Sequence, residues 1–229
     1  MSAAAHSAML QLHQVGYRYG SGQAPALHNL TLTIPRGSFH LLTGPSGAGK
    51  TTLFNLLTLA TLPTEGTLSF LGTDVAAASR PERAALRRQI GVVWQDFRLL
   101  PHLSVRDNIA LPLQLAGPLK ASDAEAIDQL LHWVGLEHLA ERPASSLSGG
   151  EQQRTAIARA VVHHPTLLIA DEPTGNVDAA MARKILHLFT ELHKQGTTIL
   201  LATHDAALIH SKQAPVLRLA GGTLAGDAA

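Results

Sequence analysis

The chain predicts an α/β protein with a mainly parallel sheet core, and three observations carry that prediction. Short buried-strand runs alternate with segments of helical periodicity, the order that builds parallel sheets. Gly44-Pro45-Ser46-Gly47-Ala48-Gly49-Lys50-Thr51 fits G-x-x-x-x-G-K-[ST] without a mismatch, between a predicted strand and a predicted helix. Leu167 to Ala170 is a wholly apolar run ending in Asp171-Glu172, and the carboxyl end of such a strand is where open α/β sheets bind ligands.

In chain order, Leu10 to Val15 and Leu30 to Ile34 read as strands around the glycine-bearing loop Gly20 to Gln23, an N-terminal antiparallel β region. Phe39 to Thr43 is a buried strand entering the phosphate loop. Thr51 to Leu59 follows as a helix, its apolar Leu53, Leu56, Leu57 and Leu59 consistent with packing on a sheet. Pro63 to Gly66 is a turn, and Thr67 to Leu71 a strand closed by Gly72. Ser122 to Glu125 has a capping-box pattern, followed by Ile127, Leu130, Leu131 and Val134 at helical spacing. Ser148-Gly149-Gly150-Glu151 is a second S-x-x-E start, opening a helix that ends before Pro165. Met181 to Lys194 is helical, Thr197 to Ala202 a buried strand leading to His204, and Val216 to Leu224 a hairpin around Gly221-Gly222. One domain with two lobes is expected: a core lobe of about 1–95 and 165–229, and an inserted helical subdomain of about 96–164.

Bulk properties exclude more than they assert. A length of 229 residues supports a sizeable core. A formal net charge of +1 gives no footprint for nucleic acid or an anionic membrane. The absence of cysteine removes disulfides, thiolate metal sites and thiol nucleophiles, and fits a reducing compartment. No apolar run reaches the ~20 residues of a membrane span, and Met1 to Ser7 lacks the pattern of a secretory signal. A cytoplasmic protein is expected, carried to a membrane only by something else.

The motifs specify phosphate chemistry. Glycines let backbone N–H groups wrap an anion at a helix N-terminus. Lys50 is expected to bridge the β and γ phosphates of a nucleoside triphosphate, and the Thr51 hydroxyl to ligate Mg²⁺. Asp171 is expected to hold the same ion, and Glu172 to orient or deprotonate the attacking water. The start at Ser148 shares the phosphate loop's physics but lacks a lysine. An ordinary capping box explains Ser148 and Glu151. It does not explain two adjacent glycines, which weaken a helix start unless something must approach the backbone closely.

Together these residues resemble the ABC-type ATPases, the nucleotide-binding subunits of ATP-binding cassette systems, over essentially the whole chain. The matching motifs run in order: Tyr19 as the aromatic on adenine, Gly44 to Thr51, Gln95 as the Q-loop, Leu147 to Gln152 as the signature, Leu167 to Glu172, and His204 as the switch histidine. Asn176-Val177-Asp178 fits the D-loop. The resemblance implies an ABC cassette of the P-loop NTPase fold, with ATP and Mg²⁺ as cofactors. It implies nucleotide contacts from Tyr19, Gly44, Pro45, Ser46, Gly47, Ala48, Gly49, Lys50, Thr51, Thr52, Gln95, Asp171 and Asp178, with Thr51, Gln95 and Asp171 at the metal. By the same resemblance Lys50, Glu172 and His204 act in catalysis. Two cassettes then stack head to tail on ATP, so that Ser148, Gly149 and Gly150 contact the γ-phosphate held by the partner chain.

The stretch Leu86 to Leu100 and the neighbourhood Leu41 to Ser46 are similar to the family's cell-division branch, with Trp94 where Phe is usual. That branch implies an FtsX-like integral membrane partner, contacted through Gln95 and the helical subdomain, and a peripheral place on the inner face of the plasma membrane. Lipoprotein-release, macrolide-efflux and amino-acid-uptake ATPases share much of the pattern and remain alternatives. A soluble family member acting on DNA or ribosomes is disfavoured, because neither a coiled-coil insertion nor a second cassette nor a basic stripe is present.

Other residues have plainer readings. Tyr17 competes with Tyr19 for the adenine, since both are expected two apart on one strand face. Arg80, Arg83, Arg87 and Arg88 form a basic cluster on a helix, read as a solvated face. Histidines 163, 164, 187 and 193 lack the helical pairing of zinc sites, and Trp133 is read as packing.

Overall fold

The computed structural model describes residues 8–20, 22, 24–210 and 214–224. The opening residues Met1 to Ser7, and Ser21 and Gln23 of the first loop, lie outside the described residues. The chain divides into two compact units, Met1–Arg87 with His193–Ala229, and Arg88–Leu192.

In the first unit, β1 (Ala8–Tyr17) and β2 (Leu27–Pro35) form an antiparallel pair, and β1 also pairs antiparallel with β4 (Glu65–Phe70). The short β5 (Thr73–Asp74) completes this sheet in the order β2-β1-β4-β5. Along β2 the burial alternates, with Leu30, Leu32 and Ile34 inward, which is the period-two signature of a half-buried strand. In the same unit β3 (Phe39–Thr43) pairs parallel with β8 (Thr198–Ala202) on one side and β9 (Val216–Ala220) on the other. The central parallel strands β3 and β8 are buried on both faces, whereas the outer β9 alternates, with Arg218 and Ala220 exposed. The hairpin closes with β10 (Thr223–Leu224) on β9. Between β3 and β4, α1 (Lys50–Leu57) buries Leu53, Phe54, Leu56 and Leu57.

Further along, α2 (Arg80–Arg87) has no buried residue, as expected of a solvated basic face. Arg88 falls beyond its end, and Arg87 donates to the Leu59 carbonyl at 3.1 Å. The five-residue α7 (Ala206–His210) is capped by Asp205, whose carboxylate accepts from the Ala207 N–H at 2.8 Å.

The second unit pairs β6 (Ile90–Val93) with β7 (Leu167–Asp171) in parallel and adds the helices α3 (Val105–Ala116), α4 (Ala121–Val134), α5 (Gly149–Val161) and α6 (Ala179–Lys194) as far as Leu192. Its helical core gathers Val105 and Ile109 of α3, Ile127, Leu131 and Val134 of α4, and Ala158 of α5, with Trp133 packed against it as expected. The two strands lie in the same compact unit as the helices.

Two local expectations are corrected. The start of α4 is not the Ser122 box: the helix begins at Ala121, and the Asp123 carboxylate reaches back to the Lys120 N–H at 2.8 Å. An aspartate in the first turn satisfies an orphan donor as well as the pattern around Ser122 would have done. Nor do Tyr17 and Tyr19 share a strand face, because β1 ends at Tyr17. The chain bends there, and the two rings meet edge to face with centroids 5.0 Å apart.

Candidate functional site

The first unit supplies the phosphate loop. Its strand β3 is buried, and α1 starts immediately after Gly49, which sits in the left-handed region at φ 102°. No side chain caps this helix start, so the positive end of the dipole is left to the loop. The loop's opening glycine is required by packing: a Cβ on Gly44 would lie 2.2 Å from the Leu219 carbonyl oxygen of β9. Lys50 curls back over the loop, its Nζ donating to the Gly44 and Pro45 carbonyls at 2.6 and 3.0 Å. That posture holds the ammonium inside the arc of the loop. Thr51 is exposed at the first turn, whereas Thr52 is buried with its hydroxyl 2.8 Å from the Tyr19 hydroxyl. Tyr19 therefore stands over the start of α1 with 61% of its surface exposed.

His204 emerges beside this loop. Leu42 pairs with Ala202 in the β3–β8 register, and the Thr203 N–H donates to the Leu42 carbonyl at 3.1 Å. The exposed His204 thus follows β8 at the level where Gly44 follows β3.

In the second unit, β7 is buried throughout and delivers Asp171, 7% exposed, at its carboxyl end. Glu172 follows with φ 48°, a left-handed conformation that a glutamate adopts at a cost of about 1–2 kcal/mol. Strain of this kind persists where surrounding structure imposes it, and it concentrates at functional sites. The Gly175 N–H donates to the Glu172 carbonyl at 3.2 Å and tightens the turn. Beyond it, Asp178 caps α6, its carboxylate accepting from the Met181 and Ala180 N–H groups at 2.9 Å each. The Met181 N–H first, then that of Ala180, hold the Asp178 carboxyl below the usual range.

Gln95 is exposed just past β6, and Phe97 and Arg98 behind it both have positive φ, 59° and 47°. The Arg98 guanidinium lies 3.7 Å from the centroid of Trp94 and pairs with Asp96 at 3.2 Å.

The second glycine-bearing helix start is built as its sequence predicts. The Ser148 Oγ accepts from the Glu151 N–H at 3.4 Å, and Glu151 Oε2 accepts from the Ser148 N–H at 2.7 Å. The Ser148 hydroxyl, then its N–H, hold the Glu151 carboxyl low. A Cβ on Gly150 would stand 3.1 Å from the Asn176 carbonyl oxygen, but one on Gly149 would meet nothing within 4 Å. Among the described residues, none crowds the position a Cβ at 149 would take.

Sequence reasoning missed Arg159 and Asn108. Arg159 donates to the Phe97 and Arg98 carbonyls at 2.6 and 2.7 Å. Asn108, fully buried, accepts from the Leu100 N–H at 2.8 Å and donates to the Leu100, Leu103 and Ser104 carbonyls. A signal existed for Asn108 alone, a polar residue on the apolar stripe of α3.

A phosphate loop, a strand-end acidic pair and an S-G-G helix start define a nucleotide-hydrolysing cassette, and the family pattern described as ABC transporter matches residues 27–175. The chain belongs to the ABC transporter family. It is 44% identical over 217 residues to "Cell division ATP-binding protein FtsE" of Haemophilus influenzae, covering 94% of this chain and 99% of that one. It is also 46% identical over 197 residues to "Macrolide export ATP-binding/permease protein MacB" of Syntrophobacter fumaroxidans, covering 84% of this chain but 27% of that protein. Among solved structures, a dimeric post-hydrolysis state of the ATP-binding cassette MJ0796 bound to ADP and Pi superposes with a TM-score of 0.86 at 32% identity, covering 95% of this chain and 97% of that one.

Proposed function

We propose that the chain hydrolyses ATP as one half of a head-to-tail pair and drives a separate integral membrane protein, an FtsX-like partner of the division machinery. The observation that carries the ATPase reading is the phosphate loop, with Lys50 held across the arc above an uncapped helix start. There Lys50 and the loop amides neutralise the β and γ phosphates, where charge develops in the transition state. Tyr19 offers the adenine a platform at the mouth of α1.

The catalytic carboxylate in this reading is Glu172, which orients the water, with His204 on the γ-phosphate. Thr51, Gln95 and Asp171 each offer an oxygen donor, the ligand type a hard cation such as Mg²⁺ takes. When bound, Mg²⁺ supplies charge neutralisation and orients the phosphates. The pairing reading draws on Gly149, whose backbone is open to an approach from outside its own chain. Ser148, Gly149 and Gly150 then face the γ-phosphate held by the partner copy. Identity along nearly the full length of the FtsE relative supports the division role. The match to the ATP-binding/permease MacB keeps export as the alternative. The protein is then peripheral on the inner face of the plasma membrane, reaching its partner through Gln95 and the helices of the second unit.

Glu172→Gln tests the chemistry. ATP binding should persist, turnover should fall by about 10²–10⁴-fold, and light scattering should show a long-lived ATP-dependent dimer. Turnover at the wild-type rate would exclude Glu172 as the catalytic carboxylate. A mild-detergent pull-down decides the partner: an FtsX-type protein supports the division role, and an efflux or lipoprotein-release permease replaces it.

A further inference from the structure

Gln95 lies between two grips made by neighbouring residues in the last turn of α5. Ahead of it, Gly91 in β6 runs so close to α5 that an added Cβ would stand 2.1 Å from the Ala160 carbonyl oxygen. Behind it, Arg159 donates through Nη2 to the Phe97 carbonyl at 2.6 Å and through Nη1 to the Arg98 carbonyl at 2.7 Å. Two donors on one rigid fork fit two successive carbonyls, a match that a lysine cannot make. Partial burial lowers the Arg159 pKa from its usual value, yet an arginine stays charged, so both bonds are charge-assisted.

The turn that Arg159 holds has two backbone bonds of its own, from the Phe97 N–H to the Trp94 carbonyl at 3.0 Å and from the Arg98 N–H to the Asp96 carbonyl at 2.6 Å, set against a disfavoured backbone. Phe97 and Arg98 both sit in the left-handed region, which bulky side chains rarely adopt. The Arg98 side chain is engaged locally, on Trp94 and Asp96, a second contact available to steady the turn, which the variants below separate from Arg159. A separate latch begins further on, where Asn108 of α3 binds both the N–H and the carbonyl of Leu100.

We propose that Arg159 is a positioning residue for Gln95: it clasps the 96–98 turn to the end of α5, so that Gln95 and the Ser148–Gly150 helix start move as one body. The catalytic consequence rests on the ATPase reading above; the structural one does not. Through the clasp, any displacement of α5 is delivered to Gln95, the residue expected at the metal.

The experiment compares Arg159→Gln, Arg159→Lys and Lys50→Ala in the full chain, by residue-resolved amide exchange and ATP kinetics. The Phe97 and Arg98 N–H groups donate to the Trp94 and Asp96 carbonyls and report on the turn. In Arg159→Gln they should exchange at least tenfold faster, while the Leu100 N–H, held by Asn108, stays within twofold of wild type. The kcat should fall at least tenfold with KM within threefold, and Arg159→Lys should recover part of both. A purely structural role would instead speed exchange throughout the second unit. Unchanged exchange at 97 and 98 overturns the clasp, and faster exchange there with wild-type kcat overturns the positioning role.

Should Arg159→Gln fail to fold, Arg98→Asn decides the matter, because asparagine tolerates the left-handed backbone and keeps both accepting carbonyls. Protection at 97 and 98 then persists if Arg159 holds the turn; its loss assigns the turn to the Trp94 stack and overturns the clasp. Wild-type turnover in Lys50→Ala would sink the ATPase reading, and the exchange data would still decide the clasp.

Discussion

The phosphate loop and the start of α5 are both glycine-bearing helix N-termini, yet they relate to their own chain in opposite ways. In the phosphate loop the chain itself demands the glycine, since Leu219 of β9 leaves no room for a Cβ on Gly44. The loop has its own cation in Lys50, and its helix has no side-chain cap. The α5 start has no lysine, is capped by Ser148 and Glu151, and contains a glycine with open space around it. The first is a self-contained anion cradle. The second is a finished helix end with one exposed glycine whose Cβ position is open. This teaches that a glycine's meaning depends on what a Cβ would meet, and only the folded chain answers that.

Substitutions can break or sharpen this contrast. The largest effect is expected for Gly44→Ala, which forces the loop against the β9 backbone. Turnover should fall at least 100-fold, and thermal unfolding should register a loss of about 1–3 kcal/mol. Retention of both would show that the cradle is not set by packing on Leu219. Gly149→Ala should dissociate the two effects. ATP turnover is expected to drop at least tenfold, while stability holds or rises by up to about 1 kcal/mol, the advantage of alanine over glycine in a helix. A variant that is stable and fully active would leave Gly149 without a function.

The smallest effect concerns the cap itself, read from melting temperature against pH. Glu151 is held below its ordinary range in the folded chain, so its contribution is complete above the unfolded value of about 4.3 and is lost as pH falls through the folded value. Ser148→Ala should cost about 1 kcal/mol at neutral pH. Glu151→Gln should be less stable than wild type at neutral pH, with the two curves converging below about pH 4.3. A gap that widened on acidification would contradict the box.

The phosphate-loop context and the strand-end carboxylates were legible because each couples a residue pattern to a neighbouring element of clear period. Buried β3 and β7 read as apolar runs, and the amphipathic stripe of α4 placed Ile127, Leu131 and Val134 in the helical core. The start of α4 is ambiguous in the sequence because Ser122 and Asp123 both offer caps, and only geometry selects the carboxylate that reaches Lys120. Strand β6 is not legible in the sequence. Four residues with a central glycine carry almost no periodic signal, and its pairing with β7 is what makes it a strand. No residue pattern announces the bend after Tyr17, so the sequence alone keeps Tyr19 in line with the strand.

The sequence by itself determined the membership of the chain, the chemistry of its phosphate loop and the order of its motifs. These depend on residue types at short spacings, where local physics dominates. Only the tertiary structure decided which glycines are compelled by their own fold, that Lys50 lies on Gly44 and Pro45, and that Arg159 grips the turn behind Gln95. The glycine and arginine contacts join segments far apart along the chain. The Lys50 bonds, though only six and five residues apart, depend on how the loop curls, which residue types at short spacing do not record.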